Sequence, residues 1–260
     1  MPNLSIITVN LNNLTGLQKT MKSVFEQTFT NYEYIIIDGG STDGSKEWIA
    51  QHANRLSYWV SEKDNGIYNA MNKGIKSATG DYVLFLNSGD RLVSNNILDA
   101  VWAYNLEEDI IYGNLYIEEQ GNVWEKKYPS PPSFKYFIND ALPHSGGAFI
   151  KKSLFKTIGQ YNEAVKICAD WMFFVDAIFK HAATLKHLPI PVAYFLYDGI
   201  SAQEKNWTLL QEEKITFLKK EFALHYNYEM LKHEHQLLKN SRMVKLYSRL
   251  KKIFQTKQAR

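Results

Sequence analysis

Six polar side chains recur at matching places between residues 8 and 90: Thr8 and Asn10, then Asp38 and Asp43, then Asp64, then Asp90. Each group follows a short apolar run (LSIITV, YEYIII, LSYWV, YVLFL), so each stands where a buried strand runs out. Carboxylates only accept hydrogen bonds, which suits ribose hydroxyls and a pyrimidine N–H. They are poor direct partners for a diphosphate, which needs a cation between. One such carboxylate, Asp90 for example, is equally well explained as a turn residue or a helix cap. Four strand ends bearing hydroxyl, amide and carboxylate groups point instead to a ligand, because the carboxyl edge of an open α/β sheet is where ligands bind.

The elements that must position these groups alternate. Strands are predicted at residues 4–9, 32–37, 56–60 and 82–86, and helices at 14–25, 45–52, 67–78 and 94–108. The run from Tyr82 to Leu86 is apolar or aromatic throughout, as in a strand covered on both faces. Such alternation requires a parallel sheet with right-handed crossovers, so the fold class is α/β. After Asp109 the pattern changes. Residues 110–117 and 123–128 read as a hairpin added to the sheet, and 133–141 as irregular or helical. Residues 144–150 (HSGGAFI) are glycine-rich and then strand-like; 169–181 read as a helix and 184–197 as one or two strands. Two long helices, 207–226 and 230–254, form an appendage, which gives a domain over 1–200 and a helical extension over 201–260.

Composition narrows the function classes. The chain has 260 residues, 45% hydrophobic and 22% charged, enough for a substantial core. Its single cysteine, Cys168, excludes an internal disulfide and agrees with a reducing cytosol. The first nine residues carry no basic segment of a signal peptide, and no apolar run approaches the roughly 18 residues of a membrane span. The expected location is cytoplasmic. Net charge is +3, but residues 231–260 hold nine Lys/Arg and one acidic residue, leaving −5 on the rest. A neutral-to-acidic body argues against nucleic acid as a partner.

The glycine fingerprint of dinucleotide folds is missing after the first strand, where the sequence is VNLNN, and a P-loop is missing too. From the residues alone this is a nucleotide site of another design, or no nucleotide site. The ordered segments SIITVNLN, IIIDGGSTDGS, EKDNGIYNAMNKGI, DYVLFLNSGD, HSGGAFI and CADW resemble family 2 glycosyltransferases, inverting enzymes with the GT-A fold. The wording of DNGIYNAMNKGI and LNSGD is most similar to members that build bacterial surface polysaccharides. The resemblance covers roughly residues 3–200.

It implies roles by position. Asp38 matches the carboxylate that holds the base, with Thr8 and Asn10 beside it and Asp64 on the same edge. Asp43 serves the ribose or only the turn. Asp90 matches the last acid of the Asp-x-Asp motif, which binds Mn²⁺ or Mg²⁺ bridging the diphosphate. Gly89 and Asn87 stand where other members have further acids, so one carboxylate, phosphate oxygens and waters would make the site. Lys73 substitutes for an arginine that other members carry where this chain has Met71. Asp170 matches the general base; its alternatives are Asp140 and Asp176, and a plain helix cap would explain it too. His144 and Trp171 are expected at the diphosphate or acceptor, and residues 198–201 in a loop over the donor. His233 and His235 stand on different helix faces and hold no metal.

The tail pattern of Met243, Leu246, Tyr247, Leu250, Ile253 and Phe254, with basic residues elsewhere, is that of a membrane-surface helix or of a packing or dimerisation helix. The implied activity is transfer of a sugar from a nucleotide donor, UDP-linked by expectation, to a hydroxyl on a glycan or lipid-linked acceptor. A nucleotide-sugar binder without catalysis and a sugar-phosphate nucleotidyltransferase are the alternatives.

Overall fold

The computed structural model describes residues 3–199 and 202–240. Contacts divide the chain into two compact units, one through Glu213 and one from Lys214 onward. The first unit alternates as its sequence dictates: β1 (Leu4–Asn10), α1 (Leu14–Phe25), β2 (Tyr32–Asp38), α2 (Ser45–Gln51), β3 (Tyr58–Ser61), α3 (Ile67–Ser77), β4 (Tyr82–Phe85). Then come β5 (Arg91–Leu92), α4 (Ile97–Trp102), the hairpin β6 (Ile110–Glu119) and β7 (Asn122–Lys126), and α5 (Phe134–Asn139). The unit continues with β8 (Ala148–Lys151), α6 (Lys152–Thr157), α7 (Ala169–Phe179) and β9 (Leu185–Leu196). Two helices come last, α8 (Trp207–Glu221) and α9 (Ala223–Asn240).

The sheet order is β3-β2-β1-β4-β8-β6-β9-β5, with β7 paired to β6. The first four strands are parallel, and β1 and β2 are buried and largely apolar, as in strands covered on both faces. Their register sets Asn10 beside Asp38 and Asp38 beside Ser61, so the polar ends fall into one row. In α1 the residues Leu17, Met21 and Val24 are buried at helical spacing, while Asn13 caps its start by accepting from the Gly16 N–H at 3.0 Å. At the opposite edge the buried Glu33 carboxylate accepts from Ser5 Oγ at 2.6 Å, Thr79 Oγ1 at 2.9 Å and the Gly80 N–H at 3.1 Å. That cluster fixes where β4 begins.

The second half departs from simple alternation. Strand β8 runs antiparallel to both β4 and β6, and β9 runs parallel to β6 and antiparallel to β5. The segment 184–197 is one strand, although it contains Pro189 and Pro191. Prolines cannot donate to a ladder, and the pairing shifts register between Tyr112 and Leu115 to let them bulge out. Helix α4 covers only six of the fifteen residues predicted for it. Asn105, at φ +48°, turns the chain away soon after Trp102. The break between the last two helices falls at Phe222, earlier than predicted, in a stretch with no glycine or proline to mark it. Strand β5 and helix α6 are too short to leave a periodic signature.

Residues 144–147 pack directly against the end of β4. The Gly146 N–H donates to Phe85 O at 2.6 Å, with Gly146 at φ +72°. A Cβ there would lie 2.6 Å from Ala193 Cβ, and one at Gly147 would lie 2.5 Å from Pro143 Cβ. Only glycine meets both demands, of conformation and of space. Gly146→Ala is therefore expected to destabilise the chain by about 2–4 kcal/mol in urea unfolding, combining left-handed strain with overpacking. A loss below about 0.5 kcal/mol would show that the segment has room to shift.

Candidate active site

The row of strand ends is built from buried polar groups that satisfy one another. Asp38 has no exposed surface, and its carboxylate accepts four hydrogen bonds. They come from Asn10 Nδ2 (2.8 Å), Ser41 Oγ (2.5 Å), the Ser41 N–H (3.0 Å) and Ser61 Oγ (2.6 Å). Burial alone would raise its pKa; the four donors outweigh burial and hold it below the ordinary carboxylate value. Asn10 Oδ1 is buried and has no partner. Asp64 accepts from the Gly66 N–H at 2.9 Å, and its other oxygen would meet a Cβ on Gly39 at 2.5 Å, so it faces the same loop as Asp38. Asp43 accepts from the N–H groups of Leu14 and Ser45 and from Ser45 Oγ, tying α1 to α2. Its geometry is that of a turn.

Asp90 lies past β4 and is nearly sealed, at 4% exposure. Ser145 Oγ donates to one oxygen at 2.5 Å and the Leu196 N–H to the other at 2.9 Å. Burial dominates, and the pKa is raised to about 7. Ser145 Oγ also accepts from the Asn87 N–H at 3.0 Å, while Asn87 Oδ1 is buried without a partner. Among the described residues, no group of three or more His, Cys, Asp or Glu side chains converges as a metal cage. A site shared with a ligand's own oxygens needs fewer protein groups.

Asp170 is in the first turn of α7, but the cap position belongs to Cys168. Its carboxylate accepts from Tyr68 OH at 2.8 Å, and its second oxygen lies 3.7 Å from His144 Nδ1. The side chain keeps 27% of its surface exposed, so it is held and still open to a ligand. His144 is buried, stacked on Phe85 at 4.8 Å, and its Nε2 is 2.8 Å from Tyr161 OH. Burial lowers its pKa, against the smaller opposing pull of Asp170, so the ring is neutral at pH 7. Of the alternative bases, Asp140 is bound to Lys126 at 2.7 Å, and Asp176 lies farther along α7.

Two expected ligand contacts, Thr8 and Trp171, are buried in the core, and Lys73 is held at the edge by an acid. Thr8 is two residues inside the edge, about 7 Å down the strand, and has no exposed surface. Its hydroxyl donates to Leu86 O at 2.8 Å and meets Tyr34 OH at 2.9 Å, which makes it a core link. Trp171 is 3% exposed and its indole N–H donates to the carbonyls of Phe137 and Asp140 at 3.1 Å. The apolar faces of α7 all turn inward, and the ring goes with them. Lys73 is paired with Glu62 at 2.7 Å. Ile200 and Ser201 of the expected donor loop, and the tail from Met243 onward, lie outside the described residues.

A model of the family described as Glycosyl transferase family 2 matches residues 5–179. The chain belongs to glycosyltransferase family 2. An uncharacterized glycosyltransferase of Mycobacterium tuberculosis strain H37Rv is 35% identical to it over 182 residues, 68% of this chain and 69% of that one. A PGL/p-HBAD biosynthesis glycosyltransferase of Mycobacterium bovis strain BCG is 30% identical over 207 residues, 77% of this chain and 79% of that one. Among solved structures, Staphylococcus aureus TarS 1–349 in complex with UDP is similar with a TM-score of 0.62 at 19% identity, over 75% of this chain and 60% of that one. The mannosyltransferase PcManGT of Pyrobaculum calidifontis, in complex with GDP-Man and Mn²⁺, is similar with a TM-score of 0.58 at 16% identity, over 77% and 59%. The chain thus spans about 60% of the length of these solved structures, and the likeness is one of fold, the GT-A architecture.

Within this family 2 glycosyltransferase, sequence reasoning missed Tyr68 as the partner of Asp170, Ser145 as the partner of Asp90 and Tyr161 as the partner of His144. Ser145 lay inside HSGGAFI and had a signal, as the only hydroxyl in that segment. Tyr68 and Asp170 are 102 residues apart, and no spacing rule joins them. The electrostatics of Asp38 give a prediction. Its lowered pKa contributes stability that is present above the unfolded value, about 3.9, and is lost as pH falls through the folded value. Asp38→Asn replaces an acceptor by a donor facing donors, and is expected to cost about 1–3 kcal/mol at pH 7. The variant should also lose part of the wild type's drop in stability below about pH 4. Equal urea midpoints at pH 7 would contradict this.

Proposed function

We propose that this glycosyltransferase moves a sugar, with inversion at C1, from a UDP-linked donor to a hydroxyl of a glycan or lipid-linked acceptor in cell-surface polysaccharide assembly. One observation carries the reading. Consecutive residues of one glycine-bearing loop touch both key acids: His144 faces Asp170 and Ser145 donates to Asp90. A base and a diphosphate-end carboxylate joined in this way are what a single displacement needs. The Mycobacterium bovis relative's role in PGL/p-HBAD biosynthesis and the UDP and GDP-Man in the solved structures support the substrate classes.

Asp170 takes the proton of the acceptor hydroxyl as its oxygen bonds to C1, and the bond from C1 to the diphosphate oxygen breaks. Asp38 and Asn10 receive the base, one of the serine hydroxyls on Asp38 turning away as the base N–H arrives. Asp64 faces the ribose. Lys73 exchanges Glu62 for the diphosphate at little cost, since a half-exposed ion pair contributes about 0–1 kcal/mol.

The residues at Asp90 fit Mn²⁺ or Mg²⁺: a buried carboxylate whose nearest cation, Arg91, is ion-paired to Glu118, with the unpartnered Asn87 Oδ1 on the same turn. A cation held by Asp90 and Asn87 would offset the charge on the departing diphosphate. Two variants test these roles together. Asp170→Asn should keep UDP affinity and lose turnover by about 10²-fold or more. Asp90→Asn should lose the gain in UDP affinity that Mn²⁺ gives in calorimetry. Turnover within a few-fold of wild type in the first, or an intact Mn²⁺ effect in the second, would contradict the assignments.

Among the described residues no helix is long and apolar enough to cross a membrane. The charge of +8 over residues 231–260 supports peripheral attachment to an anionic surface on the cytoplasmic side, at about 1 kcal/mol per basic residue in reach. The whole chain should co-sediment with phosphatidylglycerol vesicles at low salt and be released at high salt. A chain ending near Tyr228 should not bind; equal binding by both forms would refute attachment through the tail.

A further inference from the structure

Asp170 meets two other groups, and their arrangement carries an inference that rests on the reading of Asp170 as the base. Tyr68 comes from α3 and His144 from the loop before β8, and each faces a different oxygen of the one carboxylate. We propose that Tyr68 and His144, the latter oriented by Tyr161, are positioning residues that fix the Asp170 carboxylate for proton transfer.

The chemistry of each partner is set by its surroundings. Tyr68 is nearly buried, and its hydroxyl is shared between Ile167 O at 2.6 Å and Asp170 Oδ1 at 2.8 Å. Burial and the adjacent carboxylate raise its pKa well above the ordinary value, so it remains a donor throughout the working pH range. His144 can carry its single proton on either nitrogen. With the proton on Nε2, the Nδ1 lone pair would face the Asp170 carboxylate and repel it. With the proton on Nδ1, Tyr161 OH donates to Nε2 at 2.8 Å and the N–H is carried by the nitrogen 3.7 Å from Asp170 Oδ2. The neighbours therefore select the Nδ1–H form. At 3.7 Å that contact is too long for a hydrogen bond, and contacts of this kind commonly tighten when substrate arrives.

Rigidity of the ring comes from Phe85 stacked at 4.8 Å and from the edges of Phe174 and Tyr161. Because the next residue, Ser145, is bonded to Asp90, a shift at either acid is passed through one peptide to the other. With Tyr68 bonded to one oxygen and the His144 contact tightened on the other, the carboxylate has one orientation, and misplacement by about 1 Å costs on the order of 10²-fold in rate.

The test uses the full chain with Mn²⁺ and reads UDP release from UDP-glucose and UDP-N-acetylglucosamine. Tyr68→Phe keeps the ring and removes only the hydroxyl. It should lower kcat about 10-fold with KM and the calorimetric UDP affinity unchanged, and should add no further loss to Asp170→Asn. His144→Asn, which retains an N–H near Nδ1, should keep more turnover than His144→Leu. Wild-type kcat in Tyr68→Phe, or losses that multiply in the double variant, would overturn the positioning role while leaving Asp170 as base. An active Asp170→Asn would overturn both. Independently of turnover, ¹⁵N spectra of histidine-labelled protein, with His144 assigned by its loss in His144→Asn, should show a neutral Nδ1–H ring. An Nε2–H ring or a cation at pH 7 would overturn the inference.

Discussion

The close approach of residues 144–147 to the carboxyl end of β4 is the constraint on which the site depends. The loop is pulled in by the hydrogen bond from Gly146 to Phe85, and it packs where neither Gly146 nor Gly147 has room for a side chain. That approach puts the His144 ring on Phe85 and the Ser145 hydroxyl between Asn87 and Asp90. It also makes β8 antiparallel to β4, which carries the sheet from its parallel half into its mixed half. A looser loop would leave Asp90 with the Leu196 N–H as its one remaining donor and Asp170 without its histidine.

Three carboxylates on this edge behave differently because their surroundings differ. Asp38 has four donors and is held ionised, its pKa lowered despite burial. Asp90 has two donors in a nearly sealed place, and burial wins, raising its pKa to about 7. Asp170 is the partly exposed one, held on one side and open on the other. Residue type alone assigns all three as acceptors. Burial and donor count set them apart: the first organises the strand ends, the second is nearly sealed between two donors, and the third keeps a side open to a ligand.

Much of this is legible in the sequence, for reasons that differ between elements. The strands at β1, β2 and β4 are largely apolar runs ended by turn residues, and α1 shows its stripe cleanly, so their places can be read closely. The segment after Asp90 reads as a long helix because apolar spacing alone cannot see the turn at Asn105. Thr8 and Trp171 read as ligand contacts from their nearness in sequence to Asn10 and Asp170. Strand alternation keeps Thr8 on the right face but too far from the edge, and the helical turn sends Trp171 into the core. The bond between Tyr68 and Asp170 depends on how α3 and α7 pack, which no local pattern encodes.

The central claim is that Asp90 and Asp170, joined through one loop, face the diphosphate and the sugar of a single bound donor. A crystal structure of the full chain with UDP and Mn²⁺ tests it most directly. The account predicts the base at Asp38 and Asn10, the cation bound by Asp90, and the terminal phosphate directed toward Asp170. A nucleotide bound away from the ends of β1, β2 and β4, or a cation held by groups that exclude Asp90, would contradict it.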